Sequence, residues 1–397
     1  MYDLIIVGGG PAGSAAGRVA GKQGLRTLLI EKAIFPRYKP CGGALSERAQ
    51  SYLDFDLPEK VRERNVFGAR IHYGGRVIER HKQYRISTLV SRSVLDHYLL
   101  DKARETGIDV KMGEKVVNCG EDDGCIEVYT DKGRYRARCV IVAEGAHGTL
   151  KYGVRKRDKK SQYAVAIVTE VDASNDQIDN YIRNAVDIHF GVTTMGYGWI
   201  FPHENYFSVG IAGLANRMAS PRTTLTNFLR SSGFGGNYTL RAHVLPAGGI
   251  RRSIVNSRML LTGDAAGFVD PFLGEGIAYA IRSGQIAAET VSDVLSHDKS
   301  PQTLKEYQSV CQSEFGANLS YSLILSRMMH RFSGVFFKIL TSNKEAADKL
   351  LDVAASKMTY KAYLKWLIAR VPRFLLHMTG KEPADSAPQR VPQEVNR

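Results

Sequence analysis

Three glycines near the start of the chain have the spacing of a phosphate-binding turn. Gly8, Gly10 and Gly13 stand between the apolar run "YDLIIV" and a small-residue, helix-like segment, and the run "RTLLIE" ends at Glu31. The first glycine permits a tight turn, the second lets a pyrophosphate approach the backbone, and the third lets helix and strand pack closely. Glu31 stands where a carboxylate can accept from ribose hydroxyls. The pattern predicts a βαβ unit that binds a dinucleotide, without deciding between FAD and NAD.

A thiol occurs on a bent backbone in the segment "FPRYKPCGGALS". Cys41 follows Pro40 and precedes Gly42 and Gly43. Proline fixes φ and glycine opens conformations that other residues avoid, so this turn is suited to close approach by a ligand. The other cysteines, at 119, 125, 139 and 311, form no Cys-x-x-Cys pair, which argues against a disulfide framework and against a metal site. Cysteines without a disulfide framework predict a reducing, cytoplasmic location.

The composition is that of a basic globular protein. A chain of 397 residues can build a large core and two or three domains. No segment offers about 18 uninterrupted apolar residues, so no transmembrane helix is expected. The formal net charge of +14 suits nucleic acid, an anionic membrane surface or an acidic protein partner. Nucleic acid is set aside because no aromatic–basic recognition module accompanies the charge.

A second glycine-rich turn separates the two cofactors. In "RMLLTGDAAGFVDPFLGEGIAYAI" a strand-like run precedes Gly263-Asp264, and a glycine turn then opens a helix. Together with the first motif, this resembles the FAD-dependent oxidoreductases of the p-hydroxybenzoate hydroxylase type, with their G-D motif and following P-x-x-G-x-G. The resemblance implies that Asp264 binds the ribityl chain of FAD. It also implies that the amides around Gly274, Gly276 and Ile277 face the isoalloxazine, where a helix N-terminus stabilises negative charge.

The same resemblance extends to other parts of the chain. "STLVSRSVLDHYLLDKA" matches the family's arginine helix, so Arg92 would reach the flavin or its pyrophosphate. The implied cofactor-binding residues are Gly8, Gly10, Ala12, Gly13, Glu31, Lys32, Cys41, Gly42, Gly43, Arg92, Val116, Asp264, Gly274, Gly276 and Ile277. The family's D-G motif is altered in "VIVAEGAHGTLK", where Glu144 replaces Asp and Gly148 replaces a common Ser. That departure puts NAD(P)H use in doubt and favours an external electron donor.

Two further motifs together resemble the geranylgeranyl reductases, over about residues 1–380. They are Y-x-W-x-F-P, carried by Tyr197, Trp199 and Phe201, and P-x-x-x-x-C-G, which includes Cys41. Such enzymes reduce isolated C=C bonds in prenyl chains of archaeal lipids, or of chlorophyll and quinone precursors. The three aromatic residues occupy alternate strand positions, so they would share one face and bind substrate in a cavity. An ordinary aromatic core is the alternative.

The implied reaction makes specific demands on the site. An isolated trisubstituted alkene has no carbonyl to accept negative charge, so hydride from a reduced flavin must be matched by a proton. This requires a dry apolar tunnel and a proton source. Cys41 is the predicted catalytic proton donor, and a purely pocket-shaping role is the alternative.

Other activities occur on the same fold. A flavin monooxygenase or halogenase is one alternative, but halogenases carry W-x-W-x-I-P where this chain has Tyr197 and Phe201. A quinone-linked electron-transfer oxidoreductase is another, but such proteins usually add a four-cysteine cluster, whereas only Cys311 follows residue 139. The prenyl-chain reductase therefore remains the leading expectation.

The predicted architecture is α/β with α+β elements. It comprises a Rossmann-type FAD-binding domain with a parallel sheet (1–68, 87–150 and 255–300), an interleaved antiparallel-sheet substrate domain (69–86 and 151–254), a C-terminal helical region (301–380) and a disordered tail (381–397).

Two basic segments suggest partners. Residues 321–380 hold ten Lys/Arg against three Asp/Glu among large apolar residues, which suits peripheral contact with an anionic membrane or a merely solvated basic face. Residues 151–160 hold six basic residues and one acid, and form either a solvated loop or a docking site for a ferredoxin-like donor. NAD(P)H is the other candidate donor, and the substrate is a prenyl lipid.

Overall fold

The computed structural model describes residues 1–247 and 252–379. Within these ranges the strands are β1 (Tyr2–Val7), β2 (Thr27–Glu31), β3 (Ala44–Ser46), β4 (Arg64–Val66), β5 (Gly68–Tyr73), β6 (Arg76–His81), β7 (Ser87–Leu89), β8 (Asp109–Met112), β9 (Val116–Asp122), β10 (Cys125–Thr130), β11 (Arg134–Val142), β12 (Ala164–Asp172), β13 (Ala185–Phe190), β14 (Gly196–Pro202), β15 (Tyr206–Leu214), β16 (Arg241–Leu245), β17 (Val255–Asn256) and β18 (Met259–Leu261).

Helices become dominant after the last strand. Those described are α1 (Pro11–Lys22), α2 (Glu47–Ser51), α3 (Arg92–Arg104), α4 (Asn175–Tyr181), α5 (Pro221–Ser231), α6 (Gly263–Ala266), α7 (Ile277–Ser296), α8 (Glu306–Cys311), α9 (Ala317–Arg331), α10 (Ser333–Ser342), α11 (Lys344–Ala354) and α12 (Tyr360–Thr379). A π-helical turn, Gln312–Gly316, joins α8 to α9. In the described part of the chain, no helix is both long enough and apolar enough to cross a membrane.

The first sheet carries the glycine turn. Its strand order is β17-β18-β11-β1-β2-β8, and β10 and β9 extend antiparallel from β11. β1 pairs in parallel with β2 and β11, and β18 pairs in parallel with β11. β2 is buried along its whole length because helices cover it, which explains its continuous apolar run. The α/β class predicted from the sequence is confirmed.

The second sheet forms a wall beside the first. Its order is β16-β12-β15-β14-β13-β5-β6, antiparallel except for the parallel β13–β5 pair. The hairpin of β5 and β6 turns at Gly74 and Gly75, both with positive φ. Helices α4 and α5 contribute Ile178, Leu225 and Phe228 to the core on one face. The other face is lined by small and aromatic side chains and turns toward the first sheet.

The C-terminal helices pack against the β5–β13 end of this second face. α9, α10, α11 and α12 share an apolar core with β5 and β13, in which Leu340, Leu350 and Tyr363 are buried. The division into domains inferred from the sequence remains a prediction. The tail assigned to 381–397 lies outside the described residues.

Candidate functional site

The first glycine turn leaves no room for side chains. Gly8 has φ +106°, and a Cβ there would lie 2.5 Å from the carbonyl oxygen of Ala143. A Cβ on Gly13 would lie 1.8 Å from the carbonyl oxygen of Gly8. Gly10 caps α1, and Pro11 occupies its first turn. Bare backbone and a helix N-terminus therefore meet at this edge of the sheet, as a pyrophosphate requires.

Glu31 is fixed beside this turn. Its carboxylate accepts hydrogen bonds from the backbone N–H of Gly9 at 2.6 Å and of Ala33 at 2.9 Å. Lys32 follows on the surface, and Val116 is packed in the core at the start of β9. The structure thus places these residues along the strand ends that would hold the adenosine half of a dinucleotide.

A cavity of about 290 Å³ lies between the two sheets and α11. It brings together the predicted residues Cys41, Gly42, Gly43, Arg92, Tyr197, Trp199, Phe201, Asp264, Gly274, Gly276 and Ile277. It does not include Gly8, Gly10, Ala12, Gly13, Glu31, Lys32 or Val116. Pro11 lines one end and so connects the glycine turn to the cavity. Ala12 instead packs beneath Gly263, whose Cβ position lies 3.2 Å from the Ala12 Cβ.

The polar end of the cavity is built around Asp264. Nζ of Lys39 lies 3.8 Å and Nε2 of His243 lies 3.6 Å from Oδ2 of Asp264. Burial raises the pKa of Asp264, but the charge of Lys39 and the interaction with His243 outweigh it and hold the pKa below its ordinary value. Burial lowers the pKa of Lys39 and of His243. Neither residue was predicted, because Lys39 occupies a variable position of the P-x-x-x-x-C-G motif and His243 belongs to no motif.

Arg92 is the first residue of α3 and is buried rather than solvated. Its guanidinium donates to both carboxylate oxygens of Asp96, at 2.8 and 2.7 Å. Burial lowers the pKa of Arg92, but Asp96 more than compensates and raises the pKa above its ordinary value. Cys41 lines the same cavity as Arg92. The backbone N–H of Gly43 donates to the Cys41 Sγ at 3.4 Å.

The aromatic residues of β14 form one wall of the cavity. The Tyr197 hydroxyl donates to the carbonyl oxygen of Leu273 at 2.6 Å, and Nε1 of Trp199 donates to Oγ of Ser208 at 3.3 Å. Both polar ends are thus satisfied by protein groups, which leaves the ring surfaces to the cavity. A Cβ on Gly42 would lie 3.0 Å from the ring of Phe201, so the Cys41 turn passes directly over this wall.

Helix α11 closes the opposite end. Leu350, Leu351 and Ala354 line the cavity there. The helix is held to the β5–β6 hairpin by polar contacts, since Arg80 forms a two-point ion pair with Asp348 at 2.9 and 2.7 Å. Only a helical region was predicted for this segment, because amphipathic spacing does not say what an apolar face covers.

The altered D-G motif has a packing explanation. A Cβ on Gly148 would lie 1.8 Å from the carboxyl carbon of Glu144, so the longer acid occupies the space of a side chain at position 148. Glu144 also accepts a hydrogen bond from the backbone of Lys151 at 3.1 Å. Both departures from the motif are therefore one local change, and they carry little weight as evidence about the electron donor.

The basic segment 151–160 combines two buried residues with exposed ones. Lys151 and Arg155 are buried, and Arg155 pairs with Asp158 at 2.8 Å and donates to the Ala265 carbonyl at 3.1 Å. Arg155 thereby anchors the segment to α6. Its exposed basic residues are Lys156, Arg157, Lys159 and Lys160.

A separate cluster lies on the sheet face that turns away from the cavity. Ligand atoms of His72, Asp187 and His189 lie within 4.8 Å of one another. Both oxygens of Asp187 accept from Arg70 at 2.6 Å, and the two histidine rings stack at 4.0 Å. Because Arg70 already neutralises the carboxylate, the cluster is explained as an ion-pair network.

Comparison with known proteins relates the chain to FAD-dependent proteins. The model of the FAD binding domain family matches residues 1–230. The menaquinone reductase of Mycobacterium tuberculosis is 32% identical over 315 residues, 72% of this chain and 76% of the relative. The digeranylgeranylglycerophospholipid reductase of Thermoplasma volcanium is 27% identical over 405 residues, 94% of this chain and 97% of the relative.

Solved structures share the fold. A geranylgeranyl bacteriochlorophyll reductase-like protein of Thermoplasma acidophilum superposes with a TM-score of 0.78 at 24% identity, covering 95% of this chain and 98% of that one. The flavin-dependent brominase Bmp2 superposes with a TM-score of 0.69 at 19% identity, covering 94% of this chain and 99% of that one. At these identities the likeness describes the fold.

Proposed function

Because the chain belongs to the geranylgeranyl reductase family of FAD-dependent oxidoreductases, we propose that it saturates isolated C=C bonds of prenyl chains. The substrates are geranylgeranyl groups of archaeal-type membrane lipids or geranylgeranyl diphosphate. The observation that carries this proposal is the apolar cavity that runs from Asp264 and Gly276 past the aromatic wall to Leu351. A long hydrocarbon chain suits such a lining, since apolar surface is the recognition element that it offers.

FAD is the cofactor, and in its reduced form it supplies the hydride for reduction of the alkene. The glycine turn and Asp264 fit this group. The turn offers backbone without side chains where the phosphates are expected, and the Asp264 carboxylate lies where the ribityl chain is expected. The apolar walls contributed by Val168, Ile188 and Leu350 exclude water from the reacting carbons.

Cys41 is the proposed proton donor. The Gly43 N–H donates to its sulfur at 3.4 Å, and such a donor stabilises the negative charge left behind when a thiol gives up its proton. We expect Cys41→Ala and Cys41→Ser to retain FAD but to lose turnover or to change the extent of saturation. Cys125→Ser, in β10, is the matched control. Full activity in both position-41 variants would leave Cys41 a structural residue.

An acidic protein is the proposed electron donor. Lys156, Arg157, Lys159 and Lys160 form an exposed basic group above the buried anchors of the same segment, and complementary charge accelerates docking. Reversing two of these charges should slow reduction by a ferredoxin-like donor and weaken its salt dependence, without changing reduction by dithionite. If NADPH alone reduced the flavin as fast as the ferredoxin-like protein does, the electron donor would be the nicotinamide cofactor instead.

The tip of the α9–α10 hairpin is the proposed membrane contact. Phe332 is 57% exposed, and Ile324 and Val335 are also exposed, alongside the exposed Arg327 and Arg331. Apolar side chains among arginines suit the surface of an anionic bilayer. Sedimentation with phosphatidylglycerol vesicles should decrease for Phe332→Ser. It should not change for the control Val77→Ser, in the β5–β6 hairpin, and equal effects would contradict this assignment.

The activity itself is tested under anaerobic conditions. The FAD-loaded protein is reduced with dithionite, mixed with geranylgeranyl diphosphate or a geranylgeranyl lipid, and the products are identified by mass spectrometry. Products that gain two hydrogens per double bond support the proposal. Failure on every prenyl substrate, together with rapid NADPH oxidation in air or halide incorporation into an aromatic substrate, would support the monooxygenase or halogenase alternative.

A further inference from the structure

A buried histidine contacts the Cys41 turn from beneath. His203 follows β14 directly, is 1% exposed, and stacks on Tyr206 with ring centroids 4.3 Å apart. Its Nδ1 contacts the carboxylate of Glu63, and its Nε2 lies 3.0 Å from the carbonyl oxygen of Gly42. A carbonyl only accepts, so Nε2 carries the hydrogen that is donated to Gly42, and Nδ1 faces the Glu63 carboxylate.

The contact between His203 and the Gly42 carbonyl fixes the plane of the Gly42–Gly43 peptide. The carbonyl held by His203 belongs to the Gly42–Gly43 peptide, and the N–H of the same peptide donates to the Cys41 Sγ at 3.4 Å. A trans peptide is planar, with its C=O and N–H pointing in opposite directions. Rotation of the plane would therefore break both contacts together. The ring also occupies the space beside Gly43, since a Cβ there would lie 2.5 Å from the His203 Cε1.

We propose that His203, supported by Glu63, is a positioning residue for prenyl reduction, because it holds the Gly42–Gly43 peptide with its N–H directed at the Cys41 sulfur. This proposal rests on the function proposed above. It assigns a role to a residue that does not line the cavity. Its effect is exerted on the sulfur through the backbone that carries it.

Two variants with side chains of nearly equal size distinguish a hydrogen-bonding role of His203 from a packing role. The side chain of His203→Gln can place an amide N–H near the position of Nε2, whereas that of His203→Met has similar length and no donor. We expect His203→Met to lower kcat about tenfold or more with little change in KM, since small displacements of a reacting group have large rate effects. His203→Gln should stay within about threefold of the wild-type kcat, because it keeps one hydrogen bond. Glu204→Gln, an exposed neighbour, is the matched control.

A second readout does not depend on the substrate. The alkylation rate of Cys41 by iodoacetamide, measured on FAD-loaded protein without substrate and assigned with Cys41→Ser, should fall in His203→Met and persist in His203→Gln. If His203→Met does not bind FAD, Glu63→Met tests the support instead, because the ring then keeps its donor but loses the carboxylate that orients it, and the alkylation rate should again fall.

The outcomes are distinguishable. Similar behaviour of the Gln and Met variants in both measurements would overturn the proposal and leave His203 a packing residue. A wild-type protein that reduces no prenyl chain would instead contradict the proposed function, while the alkylation rates would still decide whether His203 directs the Cys41 turn.

Discussion

Replacing Gly43 with alanine should destabilise the protein because the Cys41 turn has no room for a methyl group. Gly43 has φ +76°, and a Cβ would lie 2.5 Å from the His203 Cε1 and 2.6 Å from the Val90 carbonyl oxygen. The left-handed conformation alone costs an L-residue about 1–2 kcal/mol. Relief of the overlap adds about 1–3 kcal/mol, since a carbonyl of the backbone must move. The expected loss in the free energy of unfolding is therefore about 2–5 kcal/mol.

Gly74→Ala is the matched control for this prediction. Gly74 has φ +55° in the β5–β6 hairpin, and nothing lies within 4 Å of its Cβ position. It carries the backbone cost alone, about 1–2 kcal/mol. Urea unfolding followed by circular dichroism measures both variants, and the alkylation rate of Cys41 should change in Gly43→Ala only. Equal losses of stability in the two variants would refute the packing of the turn against His203 and Val90.

Two further predictions concern the ion-pair network around Asp187 and the end of the cavity at Leu351. Burial raises the pKa of Asp187, but hydrogen bonds from Arg70 and His72, with His189 close beside them, outweigh it and hold the pKa below its ordinary value. A depressed pKa means that this stabilisation is present above about pH 4 and is lost as the pH falls. The stability advantage of wild type over Asp187→Asn, about 3–5 kcal/mol at neutral pH, should thus shrink between about pH 5 and pH 2 in urea titrations, and a constant difference would contradict the ion-pair explanation. Leu351→Trp should fill the end of the cavity and lower kcat/KM for geranylgeranyl substrates ~10-fold or more with unchanged FAD content, and unchanged kinetics would place the chain elsewhere.

Parts of the fold and site were predictable because local chemistry determines them. Gly8 and Gly13 are required by close backbone contacts within one βαβ unit, so their spacing is visible in the sequence. Tyr197, Trp199 and Phe201 alternate along a strand, and the period of two places them on the same face. The predicted FAD cofactor and reductase family are confirmed by the comparisons. The roles of the individual site residues remain predictions.

The residues that were missed depend on contacts between distant segments. Lys39 and His243 meet at Asp264, although more than 200 residues separate them in the chain. His203 reaches Glu63 and Gly42 in the same way. Contacts of this kind cannot be predicted from a local sequence pattern, because periodicity describes the face on which a residue lies and not the segment that covers it. The replacement of Asp by Glu144 is a similar case. Only the structure shows that Gly148 leaves the space that the Glu144 side chain occupies.

The central claim is that this protein reduces isolated C=C bonds of prenyl chains with electrons from its own FAD. The most direct measurement is a single-turnover experiment without oxygen, in which flavin absorbance is followed after the reduced protein meets a geranylgeranyl substrate. We predict that the flavin becomes oxidised only when substrate is present, with one flavin oxidised for each double bond lost. A flavin that stays reduced beside every prenyl substrate, yet is oxidised at once by a quinone or by air, would contradict the account.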